Sequence, residues 1–379
     1  MPWMRTSVEL QRQELVSLAR QPGANIRQLC RGFGISAKTA YKWMQRESAG
    51  QPDWAADRSR RPHHSPGRIP DSLEKRIWEA AQQFPDWGPR KILRVLRDRG
   101  HRELPSASTV SAIFQRCGRP PIAGSKQSAA YQRFEHPAPN DLWQMDFKQG
   151  FVIGTGHCHP LTIVDDHSRF CPCVQACADQ RLESVQPALI QTFRRYGLPH
   201  RLLMDNGACW GQPTSRYTRL GAWLIRLGIA ITHGRFYHPQ TQGKNERFNR
   251  TLELEVIRGR HFCDLQACQH SFDAFRYRYN HIRPHEALAL HTPVSRYRIS
   301  AVAYPEILPP IEYPPGDRVH RVRGAGVIFL ENVFYQVGRA FAGQPVALRP
   351  TEQEGLFEVY YCHHLIAHIN QRQHTCTQH

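Results

Sequence analysis

Three carboxylates stand where the chemistry of the chain would concentrate. Asp146 lies in Leu142-Trp-Gln-Met-Asp-Phe-Lys148, Asp205 in Leu202-Leu-Met-Asp-Asn-Gly207, and Glu246 in His238-Pro-Gln-Thr-Gln-Gly-Lys-Asn-Glu-Arg-Phe-Asn-Arg250. Displacement at phosphorus becomes easier when two divalent cations about 3.5–4 Å apart stabilise the attacking and leaving oxygens. Mg²⁺ takes hard oxygen donors and needs few protein carboxylates, because a phosphate substrate supplies further ligands. One such acid alone would be read as a cap or turn residue. Context separates these three: Asp205 follows an apolar run at the carboxyl end of a strand, where open α/β sheets place ligands, and Glu246 is flanked by Lys244, Arg247 and Arg250. The adjacent pair Asp165-Asp166 is the rival metal site, but its continuation His167-Ser-Arg169 reads as a turn held by side-chain hydrogen bonds.

The elements that must position these acids follow from periodicity. Gln144, Asp146 and Lys148 share one face of a strand, and Trp143, Met145 and Phe147 share the other. Strands at 160–165 and 170–176 complete an antiparallel meander. A helix at 182–196, a strand at 201–205, a helix at 215–227, a strand at 228–232 and a helix opened by Gln242-Gly-Lys244 follow. Strands first alone and then alternating with helices predict an α/β domain with a mixed sheet over residues 141–303.

The chain carries 50 Lys and Arg against 32 Asp and Glu, a net charge of +18 in 379 residues. That length predicts several domains, and that charge favours a polyanion, nucleic acid before membrane. No run approaches the ~20 apolar residues of a membrane span, and no apolar leader follows the first residues, so a cytoplasmic, nucleoid-associated protein is expected. The 11 cysteines are scattered and read as free thiols. Cys171-Pro-Cys173 and Cys362-His-His364 lack a second ligand pair at zinc-finger spacing.

Residues 1–50 read as three short helices. Asn25 and Ser36 stand at capping positions, and Ala40, Trp43 and Met44 face inward. Lys38, Thr39, Tyr41 and Lys42 face outward, a helix-turn-helix with a surface suited to the major groove of double-stranded DNA. Residues 51–70 form a basic linker whose Arg58, Arg60 and Arg61 could track phosphates or enter a minor groove. A second helical DNA-binding unit is expected over 71–118 and a linker over 119–140. A Pro-rich linker follows at 304–317, a small all-β barrel of about five strands at 318–370, and a tail at 371–379.

Taken together, Trp143-Gln-Met-Asp146, Val164-Asp-Asp-His-Ser-Arg169, Met204-Asp205-Asn-Gly, Tyr237-His-Pro-Gln-Thr-Gln-Gly-Lys-Asn-Glu246-Arg-Phe-Asn-Arg-Thr-Leu252 and Tyr279-Asn-His-Ile-Arg-Pro-His-Glu-Ala-Leu288 resemble a bacterial insertion-sequence transposase with a retroviral-integrase-type core. The likeness extends to Leu29-Cys-Arg-Gly-Phe-Gly-Ile-Ser-Ala-Lys-Thr-Ala-Tyr-Lys-Trp43 and Asp57-Arg-Ser-Arg-Arg-Pro-His63. The resemblance implies an RNase H-like core, with Asp146, Asp205 and Glu246 as catalytic metal ligands for two Mg²⁺ ions that Mn²⁺ could replace. It further implies a homo-oligomer that binds the element's terminal inverted repeats, cuts there and joins 3′-OH ends to target DNA. Relatives commonly carry a basic residue seven positions after the catalytic Glu. Here that position is Glu253, whose charge should weaken a phosphate contact, and Arg250 is the nearest substitute. Two alternatives stay open: a catalytically silent DNA-binding regulator derived from a transposase, and a nuclease without strand transfer.

Overall fold

The computed structural model describes residues 7–58, 69–120, 135–204, 217–233 and 243–378. They form two units, 1–69 and 70–379.

In the first unit, α1 (Val8–Ala19), α2 (Ile26–Gly32) and α3 (Ala37–Ser48) surround Leu15, Cys30 and Ala40. Asn25 Oδ1 accepts from the Gln28 amide and Ser36 Oγ from the Thr39 amide, each at 3.2 Å, so both caps expected from sequence are made. Such caps contribute about 1 kcal/mol each. Ala40 and Trp43 are buried and Met44 is half-buried.

The second unit opens with α4 (Asp71–Gln83), α5 (Pro89–Asp98) and α6 (Ala107–Arg116), packed around the fully buried Ile77, Ile92 and Ile113. Pro89 takes the first helical position of α5, where its missing N–H costs nothing. The three helices fall within the helical unit expected over 71–118.

Then comes the mixed sheet: β1 (Trp143–Phe147), β2 (Phe151–Ile153), β3 (Gly156–Asp165), β4 (Cys173–Cys177), β5 (Arg201–Met204) and β6 (Ala230–His233). The order is β2-β3-β1-β5-β6, with β4 on β3. β1, β3 and β4 pair antiparallel, as the expected meander; β5 and β6 join in parallel through helical crossovers. The hairpin strand β2 was not legible in the sequence, since three residues carry no period. Trp143, Met145, Leu161 and Ile163 pack against α7 (Leu182–Tyr196) and α8 (Arg219–Arg226). The opposite face, including Cys158, Val164 and Val174, packs against α9 (Gly243–Leu252), a π-helical turn at Glu253–Ile257, and α10 (Leu265–His281). A sheet covered on both sides results, which is the expected α/β core.

Beyond residue 316 the described chain is β-stranded apart from a 3₁₀ turn at Arg339–Phe341. β7 (Arg318–Arg321), β10 (Pro345–Pro350), β11 (Leu356–Tyr361), β12 (His364–Asn370) and β13 (Thr375–Gln378) form an antiparallel sheet in the order β13-β12-β11-β10-β7, beside the hairpin of β8 (Val327–Leu330) and β9 (Val333–Gln336). The expected barrel is therefore an open sheet plus a hairpin, as far as the described strands pair. β7 and β13 escape a hydrophobicity reading because both are edge strands, where polar side chains discourage further pairing. No helix among the described residues is long and apolar enough to cross a membrane.

Candidate active site and DNA-facing residues

α9 lies over β1 and β3 and is fixed there by amides rather than by apolar contact alone. Asn245, fully buried, donates Nδ2 to the Gln144 carbonyl at 3.2 Å, and its own amide donates to Gln144 Oε1 at 3.3 Å. Thr162 Oγ1, also buried, has one proton and three acceptors in reach: the Asp146 carbonyl at 3.1 Å, Asn245 Oδ1 at 3.0 Å and Asn249 Oδ1 at 3.0 Å. Asn249 then donates Nδ2 to Asp146 Oδ2 at 3.0 Å. Asn249 stands three residues after Glu246, on the neighbouring turn of one helix face. The helix that carries Glu246 thus holds the Asp146 carboxylate directly. Asp146 is half-buried and Glu246 exposed.

β5 runs parallel to β1 with Gln144 beside Leu203, and its last residue, Met204, immediately precedes Asp205 in sequence. Asp205 itself lies outside the described residues. Among the described residues no group of three His, Cys, Asp or Glu is arranged to hold a metal. Asp165 and Asp166, the rival pair, are fully buried and used internally. Asp165 accepts from the Ser168 amide at 2.7 Å and the Asn140 amide at 2.8 Å; Asp166 accepts from His136 N and Gln144 Nε2, both at 2.8 Å. Burial raises the Asp165 pKa against those hydrogen bonds. The pair is the turn that the sequence suggested.

The basic residues divide. Lys244 is partly buried and its ammonium bonds both the carboxylate and the carbonyl of Asp166, the latter at 3.2 Å. It clamps the start of α9 to the 165–169 turn, and burial lowers its pKa. Arg247 and Arg250 are exposed. In the first unit Lys38, Tyr41 and Lys42 are exposed, whereas Thr39 is half-buried with its hydroxyl 2.9 Å from Ser36 Oγ. The Thr39 hydroxyl thus lies beside the cap of α3. Arg58 is exposed; Arg60 and Arg61 lie outside the described residues. Lys38→Ala and Lys42→Ala, measured by titrating duplex DNA at several salt concentrations, should each reduce the salt slope by about 0.9. Thr39→Ala should lower thermal stability and leave the slope alone.

A second polar centre joins α4–α6 to the core. Glu255, in the π-helical turn, accepts from Trp87 Nε1 at 3.1 Å and Arg283 Nε at 2.8 Å, and Arg278 lies at 3.6 Å. Nearby, burial and then the Arg283 charge lower Lys91 from 10.5 to about 8. Below pH 8 the folded and unfolded states both carry that charge, so the folded state bears the full penalty. Between pH 8 and 10.5 the folded state releases its proton first and stability rises with pH. Lys91→Met should therefore stabilise the chain by roughly 1–3 kcal/mol at pH 7. Denaturant midpoints should show the rise above pH 8 shrinking in that variant.

Sequence reading passed over Gln144, Thr162, Asn245 and Asn249 as positioning groups. A signal existed for two of them, because Asn245 and Asn249 stand one helical turn apart on either side of Glu246. It missed one ion pair altogether: Lys148 Nζ lies 2.6 Å from Glu253 Oε2.

This arrangement, an acid on the first strand of a mixed sheet held by the helix that bears another, is that of an integrase-type core. Residues 136–239 match the integrase core domain family, and a second integrase core model matches 227–293. Residues 39–114 match a homeodomain-like domain, and 317–377 match the C-terminal domain of IS481 family transposases. The matched models stand in the order homeodomain-like domain, integrase core and IS481-type C-terminal domain, so the chain resembles insertion-sequence transposases. It is 32% identical over 124 residues to a protein of insertion element IS136 from Agrobacterium fabrum, covering 33% of this chain and 60% of that one. It is 28% identical over 171 residues to a 31.7 kDa protein of insertion element IS407 from Burkholderia multivorans, covering 44% and 59%. The chain thus spans about three fifths of the length of these relatives. Among solved structures, the HTLV-2 integrase catalytic core domain in complex with magnesium aligns at 14% identity and a TM-score of 0.33, over 43% of this chain and 99% of that one.

Proposed function

We propose that this chain binds the terminal inverted repeats of its insertion sequence and cuts the phosphodiester bonds at those ends. It then joins the 3′-OH ends to target DNA, working as a homo-oligomer on double-stranded DNA. The observation that supports this most is the 3.0 Å bond from Asn249 to Asp146, which ties one acid of the sheet to the helix that bears another, 100 residues away in sequence.

Asp146, Asp205 and Glu246 are the proposed ligands of two Mg²⁺ ions, with Mn²⁺ able to substitute. The donors fit a hard cation: both described acids offer oxygen, whereas the Cys158, Cys171 and Cys173 thiols are buried in the core, where burial raises their pKa. Bound there, the ions would stabilise the attacking and leaving oxygens of an in-line displacement. The chain's own residues do the rest. Asn249 orients Asp146, Asn245 and Thr162 hold α9 at the sheet, and Arg247 and Arg250 attract the DNA backbone. Lys38, Tyr41 and Lys42 of α3 read the ends, joined by Arg58, Arg60 and Arg61.

The test uses the full chain and duplexes made from DNA flanking its gene. Mg²⁺-dependent nicking at an inverted repeat, followed by covalent joining to a second duplex, is expected. Nicking without joining would make it a nuclease, and end binding without either reaction would make it a regulator.

A further inference from the structure

Beside Asp146 runs a groove of about 450 Å³ whose lining includes Lys148, Gly150, Asn249, Arg250 and Glu253. Asn249 is the residue that holds Asp146, so the groove begins where the proposed metal site ends. Lys148 is two positions after Asp146, on the same strand face, and its side chain is only 14% exposed. An ammonium has three donors. Glu253 takes one at 2.6 Å, and no other hydrogen bond is made by that ammonium among the described residues. A nearly buried cation with donors to spare, open to a groove, is set to receive an anion.

The charge balance within the lining agrees. Lys148 and Arg250 against Glu253 leave one net positive charge, the complement of a single phosphodiester. The wall behind is tight: a Cβ on Gly150 would come within 2.6 Å of His159 Nδ1. Glu253, read from sequence as a repulsive charge, therefore has another effect. At the first residue of the π-helical turn it pins the base arriving from the sheet.

We propose that Lys148 binds a DNA phosphate next to the Asp146 carboxylate and that Glu253 is the positioning residue that aims its ammonium. This rests on the transposase reading above, since it presumes DNA in the site. Its test uses the full chain, a duplex ending at the proposed cut, and Ca²⁺ in place of Mg²⁺ so that binding is read without cutting. Lys148→Gln should reduce the salt slope by about 0.9, and replacing one phosphate near the end with a neutral methylphosphonate should give the same loss in wild type and none further in the variant. Lys148→Arg should keep the slope. Glu253→Gln should also keep it but slow Mg²⁺-dependent cutting several-fold, and the exchange Lys148→Glu with Glu253→Lys should recover part of the binding lost in Lys148→Glu.

A purely structural ion pair gives a different pattern. Lys148→Gln and Glu253→Gln would then lower thermal stability alike, with salt slope and methylphosphonate profile unchanged, and the proposal would be overturned. A wild-type chain that binds but never cuts in Mg²⁺ defeats the transposase reading instead, so the two failures are distinct.

Discussion

Asp146→Asn and Glu246→Gln should each reduce Mg²⁺-dependent cutting of the element's ends by about 10³-fold or more, while end binding changes little. Losing a charged metal ligand forfeits several kcal/mol of transition-state stabilisation, and each ~1.4 kcal/mol is tenfold in rate. Both substitutions keep the size of the side chain, and in Asp146→Asn the new carboxamide can still accept the Asn249 N–H through its carbonyl oxygen, so the fold is preserved. Asn249→Ala separates orientation from ligation. It leaves both acids in place but removes the donor at 3.0 Å from Asp146, and should cost about 10–100-fold, the usual range for a group that only orients a ligand. Single-turnover cutting and equilibrium binding, measured on the same duplex, decide the matter. If Asp146→Asn cuts at the wild-type rate, Asp146 is not a ligand; if Asn249→Ala is as damaging as Asp146→Asn, the amide does more than hold a carboxylate.

Two of the proposed acids could be singled out from sequence because strand alternation assigned Asp146 to the polar face of β1 and the basic neighbours of Glu246 marked an unusual setting. Alternation also placed Lys148 on the face of Asp146, yet not its partner. That partner lies 105 residues later, at the start of the π-helical turn that continues α9 and one turn after Asn249. Lys244 misled for a related reason. Its sequence neighbours are polar, but the 165–169 turn that receives it comes from β3, 78 residues earlier. Contacts across that separation have no period to betray them. Helix caps at Asn25 and Ser36 were legible because they are local.

Glu255→Ala should destabilise residues 70–379 by about 3–5 kcal/mol, the largest stability loss expected from one substitution here. Glu255 is 8% exposed and Arg283 is 9% exposed, so removing the acid leaves a guanidinium buried without its 2.8 Å partner. The Trp87 indole N–H also loses its acceptor at 3.1 Å, inside a site where Trp87 stacks on Phe84 with centroids 4.0 Å apart. Glu255→Gln retains an oxygen for both donors and loses only the charge, so about 1–2 kcal/mol is expected from it. The double variant Glu255→Ala with Arg283→Met removes the stranded charge and should recover much of the loss, because apolar replacements of a buried pair are commonly near neutral. Denaturant midpoints followed by tryptophan fluorescence would measure all three. Equal losses from Glu255→Ala and Glu255→Gln would mean that the charge itself holds the site; no recovery in the double variant would mean that the indole bond and packing, rather than Arg283, carry the cost. Because Glu255 lies two residues from Glu253 on the same turn, the same variants report on the catalytic side. A shift of that turn in Glu255→Ala should release Lys148 and lower cutting more than stability alone explains, and Glu255→Gln should not.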